Sequence, residues 1–198
     1  MLSRQAIRNE IRRQRQALSQ RQQEHAARAL GRQFVGSSVF RNAHRIGCYL
    51  ANDGELDLSM VMARIQSMNK RCYLPVLDTL GSNRLWFAPF DSTTCLQVNG
   101  FGIPEPMVSP RQYVLASRLD LILLPLVAFD DQGNRLGMGG GFYDRSLAYL
   151  RRRQHWFKPH LYGIAHEFQR VDRLECASWD VPLHGIATDQ GIHQIRYR

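Results

Sequence analysis

At 198 residues, with 44% hydrophobic and 22% charged residues, the chain has the balance of a globular protein able to bury one sizeable core. Its longest apolar run, 119–129, is shorter than the roughly 20 residues that span a bilayer and contains a proline, so no membrane partner is expected. The net charge of +9 is uneven: residues 1–45 hold ten arginines against Glu10 and Glu24, and the rest is nearly neutral. Such a local basic patch points to an anionic partner, either a nucleic acid or a phosphorylated small molecule, with a merely solvated helix as the alternative. The arginine-rich start lacks the apolar segment of a secretory signal, and its periodicity favours a folded helix over a transit peptide. A cytoplasmic protein is expected.

Ser3 is placed to cap a first helix, whose apolar positions Ile7, Ile11 and Leu18 recur near the helical period. Arg4 and Arg8 share one face of it. Ser19 and Gln22 form a capping box that opens a second helix through Ala26, Ala27, Leu30 and Phe34. A strand is predicted over 45–51, a helix over 56–70 with Asp57 as a possible cap, and a strand over 71–76. This strand–helix–strand order is the signature of a parallel sheet. Residues 77–110 are rich in turns, with "LWFAPF" (85–90) as a possible strand and "NGFGIPEPMVSP" (99–110) as a proline-rich loop. The run 119–129 reads as one strand buried on both faces. A helix over about 145–154, a strand over 161–166 and short terminal strands complete the chain. No repeat, low-complexity segment or linker divides residues 1–198, which read as a single three-layer α/β/α domain with a mostly parallel sheet.

The four cysteines, Cys48, Cys72, Cys95 and Cys176, are widely spaced and suggest neither a zinc site nor a disulfide framework. The seven histidines include no metal-binding pair; His155 and His160 read as solvated surface. The informative segment is "RLGMGGGFYDR" at 135–145, with glycines at 137, 139, 140 and 141. A turn between a strand and a helix needs one or two glycines. Four permit close backbone approach to a phosphate chain, with Arg135 and Arg145 adding charge. Asp144 supplies a hard carboxylate of the kind magnesium prefers. The segment is neither a Walker A loop nor a dinucleotide fingerprint.

The stretch "PLVAFDDQGNRLGMGGGFYDR" closely resembles the signature of the 5-formyltetrahydrofolate cyclo-ligase family, and the resemblance extends over nearly the whole chain through "YLANDGELD", "GFGIPEP" and "SWDVPL". It implies an α/β fold broadly related to sugar-phosphate isomerases and CoA transferases, with ATP as co-substrate, Mg2+ as cofactor and 5-formyltetrahydrofolate as substrate. By position, the resemblance assigns ATP contacts to Arg4, Arg8, Arg135, Leu136, Gly137, Met138, Gly139, Gly140, Gly141, Phe142 and Tyr143. It assigns substrate contacts to Leu50, Glu55 and Phe101, with Met138, Gly139, Gly140, Gly141 and Phe142 also bordering the folate. Asp144 and Asp180 match magnesium carboxylates, and Arg135 and Asp144 take catalytic roles. The chain departs from the family pattern at Arg4, where lysine is frequent, at Gly140, where a basic residue is frequent, and at Phe142, where tyrosine is usual.

The chemistry the resemblance implies is attack of the formyl oxygen on the γ-phosphate of ATP, then ring closure by the nitrogen at position 10 with loss of phosphate. Such a reaction needs positioning and charge neutralisation more than covalent help. A monomer is expected. The alternatives are a sugar-phosphate isomerase or CoA transferase on the same broad fold, and an RNA-binding protein using the basic helices. ADP release in the presence of folate separates the first pair from the cyclo-ligase reading. A steep salt dependence of RNA affinity would mark the last.

Overall fold

The computed structural model describes residues 3–78, 83–100, 102–152, 158–175, 177 and 179–195. Phe101, His155, Cys176 and Ser178 lie outside the described residues.

Both N-terminal caps form as the sequence predicts. Ser3 accepts from the Ala6 N–H ahead of α1 (Arg4–Gln16), and Ser19 with Gln22 forms the capping box of α2 (Gln20–Val35). A short helix that the pattern did not reveal, α3 (Ser38–Asn42), leads into β1 (Arg45–Gly47). β1 is shorter than predicted. Pairing continues only through the Cys48 N–H on the Tyr73 carbonyl, 2.8 Å, and residues 49–51 then leave the sheet. The next helix, α4 (Ser59–Ser67), is capped by Leu58 rather than Asp57, although the Asp57 carboxylate accepts from the Ser59 N–H.

β2 (Arg71–Leu77) and β3 (Leu85–Phe90) follow, then a separate hairpin of β4 (Leu96–Val98) and β5 (Pro104–Pro106) within the predicted proline-rich loop. The run 119–129 is not one strand. It forms β6 (Leu121–Pro125), then breaks and resumes as β7 (Ala128–Phe129), paired with β8 (Arg135–Leu136) outside the main sheet. A short helix, α5 (Phe142–Leu147), begins three residues earlier than predicted and tightens into a 3-10 turn over Ala148–Arg152. β9 (His160–Ile164), β10 (Gly185–Ala187) and β11 (Ile192–Gln194) complete the sheet.

The seven-stranded sheet has the order β11-β10-β9-β6-β1-β2-β3. Its five inner strands are parallel, and the two edges, β11 and β3, are antiparallel. Alternation divides the core between two faces. Leu121 and Leu123 of β6 pack with Ile46, Cys72 and Leu74 beneath α2 and α4, whereas Ile122 and Leu124 pack with Phe87, Leu147 and Leu183 on the other side. Each fully buried Leu or Ile contributes roughly 1.5–3 kcal/mol. The two outer layers are unequal: helices cover one face, while α5, 3-10 turns and loops cover the other.

The break after β6 has a specific cause. Gln169 is 1% exposed, and its Nε2 donates to the carbonyls of Leu126 (2.7 Å) and Val127 (2.8 Å) while its Oε1 accepts from the His166 N–H (2.9 Å). The amide side chain thus substitutes for a strand neighbour where the chain leaves the sheet. Gln169→Leu keeps the volume but strips three buried backbone groups of partners. It is expected to cost about 3 kcal/mol and to lower the melting temperature by roughly 6–12 °C, measured by thermal denaturation at fixed pH.

Candidate active site

The chain leaves β1 toward β2 and leaves β6 toward β9, on opposite sides, and a cleft of about 650 Å³ lies at this switch point. Tyr49, Leu50 and the turn at 52–55 line it after β1, and residues 124–127 at the end of β6 and just beyond. The glycine loop and residues 142–144 form a second wall, and Arg4, Arg8 and Arg15 of α1 a third. Asn99, Ile103 and Glu105 of the β4–β5 hairpin, with Trp179 and Asp180, complete the rim. A second hollow of about 570 Å³ lies between α2 and residues 166–168; Arg21, His25 and Phe168 line it, but neither the glycine loop nor Glu55 reaches it.

Within the loop the glycines have different reasons. Gly139 (φ 103°) and Gly141 (φ 64°) are left-handed, a region that penalises any other side chain. Gly140 has an ordinary φ, but a Cβ there would lie 2.8 Å from the Phe142 ring. The two departures from the family pattern in this loop therefore touch. Arg145 staples the loop from outside: its Nη2 donates to the Gly140 carbonyl, its Nε donates to the Asn83 carbonyl at 3.0 Å, and its guanidinium lies 5.4 Å from the Phe142 ring centroid. From the other side Arg8 Nε donates to the Gly137 carbonyl at 2.9 Å. Met138, between these attachments, is exposed.

Arg135 and Asp144 form an ion pair, and Arg135 also donates to the Val181 carbonyl. The Arg135 side chain is only 8% exposed, so its charge is directed at the protein. Asp180 accepts from the Ala177 N–H at 2.9 Å and lies 3.9 Å from Arg4. Tyr143 is half-buried at the base of the cleft, and desolvation there raises its phenol above the ordinary value. The Leu136 side chain packs among Ile11, Val127, Ala128 and Leu174 and does not line the cleft. Phe101 lies outside the described residues, although Asn99 and Ile103 on either side of it reach the rim.

Among the described residues no three metal-binding side chains cluster. Magnesium is ordinarily held by one or two carboxylates together with phosphates and water. Asp144 and Asp180, oxygen donors lining the same cleft, fit that requirement.

The turn at 52–55 is bound tightly to α1. Asp53 (φ 51°) and Gly54 (φ 71°) are both left-handed. A Cβ on Gly54 would meet the Arg15 carbonyl at 2.9 Å, so only glycine fits against the helix. Burial pushes the Asp53 carboxyl upward, but hydrogen bonds from Gln16 and Arg12 (2.7 Å each) and the Arg15 charge overcome this and hold it below the usual value. Glu55 differs. Burial dominates and raises it to about 7, against the Asn52 N–H at 3.2 Å and the charge of Arg15. A buried carboxylate near neutrality, in a cleft, is an acceptor suited to N–H groups of a ligand.

Arg15, Tyr49, Glu105 and Trp179 were not singled out by the sequence. Tyr49, Glu105 and Trp179 lie within the segments that carry the family resemblance but were given no role, and no local pattern marked Arg15.

These features define an α/β protein with its ligand cleft at the switch point of a parallel sheet. Over residues 1–189 the chain matches the 5-formyltetrahydrofolate cyclo-ligase family, and it belongs to that family of ligases. It is 37% identical over 180 residues to the 5-formyltetrahydrofolate cyclo-ligase of Escherichia coli strain K12, covering 90% of this chain and 96% of that one. The corresponding protein of Haemophilus influenzae is 38% identical over 183 residues, with 92% and 96% covered. An NMR structure of Aquifex aeolicus 5,10-methenyltetrahydrofolate synthetase superposes with a TM-score of 0.83 at 27% identity, covering 100% of this chain and 95% of that one. The expected α/β architecture is thereby borne out.

The raised Glu55 carboxyl has a consequence for stability. Its folded value of about 7 lies above the ordinary 4.5, so the native state binds this proton more tightly than the unfolded chain. The contribution is fully present below about pH 4.5 and is lost as pH rises through about 7. Glu55→Gln cannot ionise, and is expected to be more stable than the parent at about pH 8 by a few kcal/mol at most. The difference should vanish in mild acid, as followed by urea denaturation across pH.

Proposed function

We propose that the protein converts 5-formyltetrahydrofolate to 5,10-methenyltetrahydrofolate with consumption of ATP and release of ADP and phosphate. The observation that carries this reading is the convergence, in one cleft, of the glycine loop with Arg4 and Arg8 on one side and the Glu55 carboxyl on the other. Loop and arginines suit a phosphate chain; Glu55 suits the amino and ring N–H groups of a pterin.

In this reading the formyl oxygen attacks the γ-phosphorus and the bond to the ADP oxygen breaks. The nitrogen at position 10 then attacks the activated carbon, loses its proton, and phosphate departs with the former formyl oxygen. The protein's part is geometric and electrostatic. Glu55 fixes the ring, the apolar floor at 124–127 limits water, and Arg4 and Arg8 offset phosphate charge. Asp144 and Asp180 would hold magnesium, which supplies charge neutralisation on the phosphates when bound. Arg135 holds Asp144 in place through their ion pair. The reading extends to a cytoplasmic monomer. Among the described residues no helix is long and apolar enough to cross a membrane.

The test is near-ultraviolet absorbance of the methenyl product, formed only when ATP and 5-formyltetrahydrofolate are both present, with ADP produced in equal amount. Isomerisation of a sugar phosphate or CoA transfer without ATP would overturn it. Asp144→Asn is expected to lose most turnover, on the order of a hundredfold or more, and to melt below the parent temperature, because it leaves the buried Arg135 without its counter-charge. Full activity across a magnesium titration would remove Asp144 from the metal role.

A further inference from the structure

Arg15, in the last turn of α1, is completely buried, yet its guanidinium is only partly partnered. Nη2 donates to Asp53 Oδ2 at 3.1 Å, while Nε and Nη1 have no acceptor. Asp53 is shared: Arg12 also donates to Oδ2 and Gln16 to Oδ1. The next carboxylate is Glu55, whose Oε1 lies 3.9 Å from Nη1, just beyond hydrogen-bonding reach. A fully buried guanidinium with open donors favours a second negative charge beside it. Arg12 and Arg15 face Asp53 and Glu55 here, and the four charges cancel only when Glu55 is ionised.

Other groups near Glu55 do not replace Arg15. Asp53 and Asp57 share its segment and are acidic. Tyr49, two residues beyond β1, donates its hydroxyl to the Leu56 carbonyl at 2.6 Å, and desolvation favours the neutral phenol of Tyr143 in α5. His166 contacts the Gly54 carbonyl at 3.3 Å, and its burial favours the neutral ring. Arg12 is solvent-exposed and bonded to Asp53.

We propose that Arg15 is a positioning residue that favours the ionised form of Glu55 and aims it into the cleft, and so, through that carboxylate, sets the cleft's affinity for a ligand edge bearing adjacent N–H donors. The identity of the ligand rests on the pterin reading above; the control of Glu55 by Arg15 does not. Burial raises Glu55 and the Asn52 N–H and then the Arg15 charge lower it, leaving it at about 7, where losing one cation changes its ionisation most within the physiological range. An opposite charge at this range shifts a carboxyl by about one to three units.

The experiment follows the Glu55 side-chain carbon through a pH titration by NMR in the ligand-free protein, assigned with Glu55→Gln. The parent midpoint is expected at about 7. In Arg15→Met it should rise by about one unit or more, and Arg15→Lys, which keeps the charge, should restore most of the parent value. Arg12→Met, which loosens Asp53 without removing the charge beside Glu55, should move it far less. The acid limb of 5-formyltetrahydrofolate binding should shift with the midpoint, and that shift should disappear in the Glu55→Gln background. An unmoved midpoint in folded Arg15→Met overturns the proposal, as does a loss of affinity equal at every pH. If Arg15→Met does not fold, Arg15→Lys decides: a midpoint near the parent's supports the role, and one raised by a full unit or more overturns it. If the parent binds no 5-formyltetrahydrofolate at any pH, the pterin reading fails while the titration still judges Arg15.

Discussion

β1 and β6 lie side by side but pass the chain to opposite sides of the sheet, and the gap between their carboxyl ends is the constraint on which the site depends. Both strands are buried on both faces, so neither can shift to close the gap without exposing core. Backbone that leaves a sheet must find other hydrogen-bond partners. After β1 the answer is a tight turn bound to α1; after β6 it is the Gln169 amide. The cleft is thus the outcome of two exits that were each satisfied locally.

α1 is the wall that joins these solutions. Its first turns reach Asp180 and the Gly137 carbonyl, and its last turn binds the 52–55 turn. The same helix thereby contacts both the loop suited to phosphate and the carboxyl suited to a heterocycle. Its high arginine content has two separate uses. Arg4 and Arg8 face the glycine loop, while Arg12 and Arg15 hold acidic groups that would otherwise repel one another.

Local chemistry was legible in the sequence where the partners are close along the chain. Ser3, and Ser19 with Gln22, cap helices within their own first turns, and the glycine spacing marked a loop whose backbone requires it at Gly139 and Gly141. What failed depended on distant partners. The run 119–129 looked continuous because Gln169, which breaks it, lies more than forty residues away. α3 was too short for periodicity to register, and α5 started early because Gly141 could cap it from a left-handed conformation. The family resemblance brought Glu55 to attention, but Arg15 looked like one more arginine on a basic helix. Its distinction comes from burial against a turn that no local pattern connects with it.

Arg8 and the Gly137 carbonyl are bonded across a separation of 129 residues. During synthesis α1 leaves the ribosome well before its partners at 137 and 180. A helix bearing this much like charge, with its apolar face uncovered, has little reason to persist alone. The cleft therefore cannot close until both segments have been made, and bringing them together closes a long loop. Until then the arginines of α1 remain free to attract polyanions, so a nascent chain would be stickier toward nucleic acid than the finished enzyme.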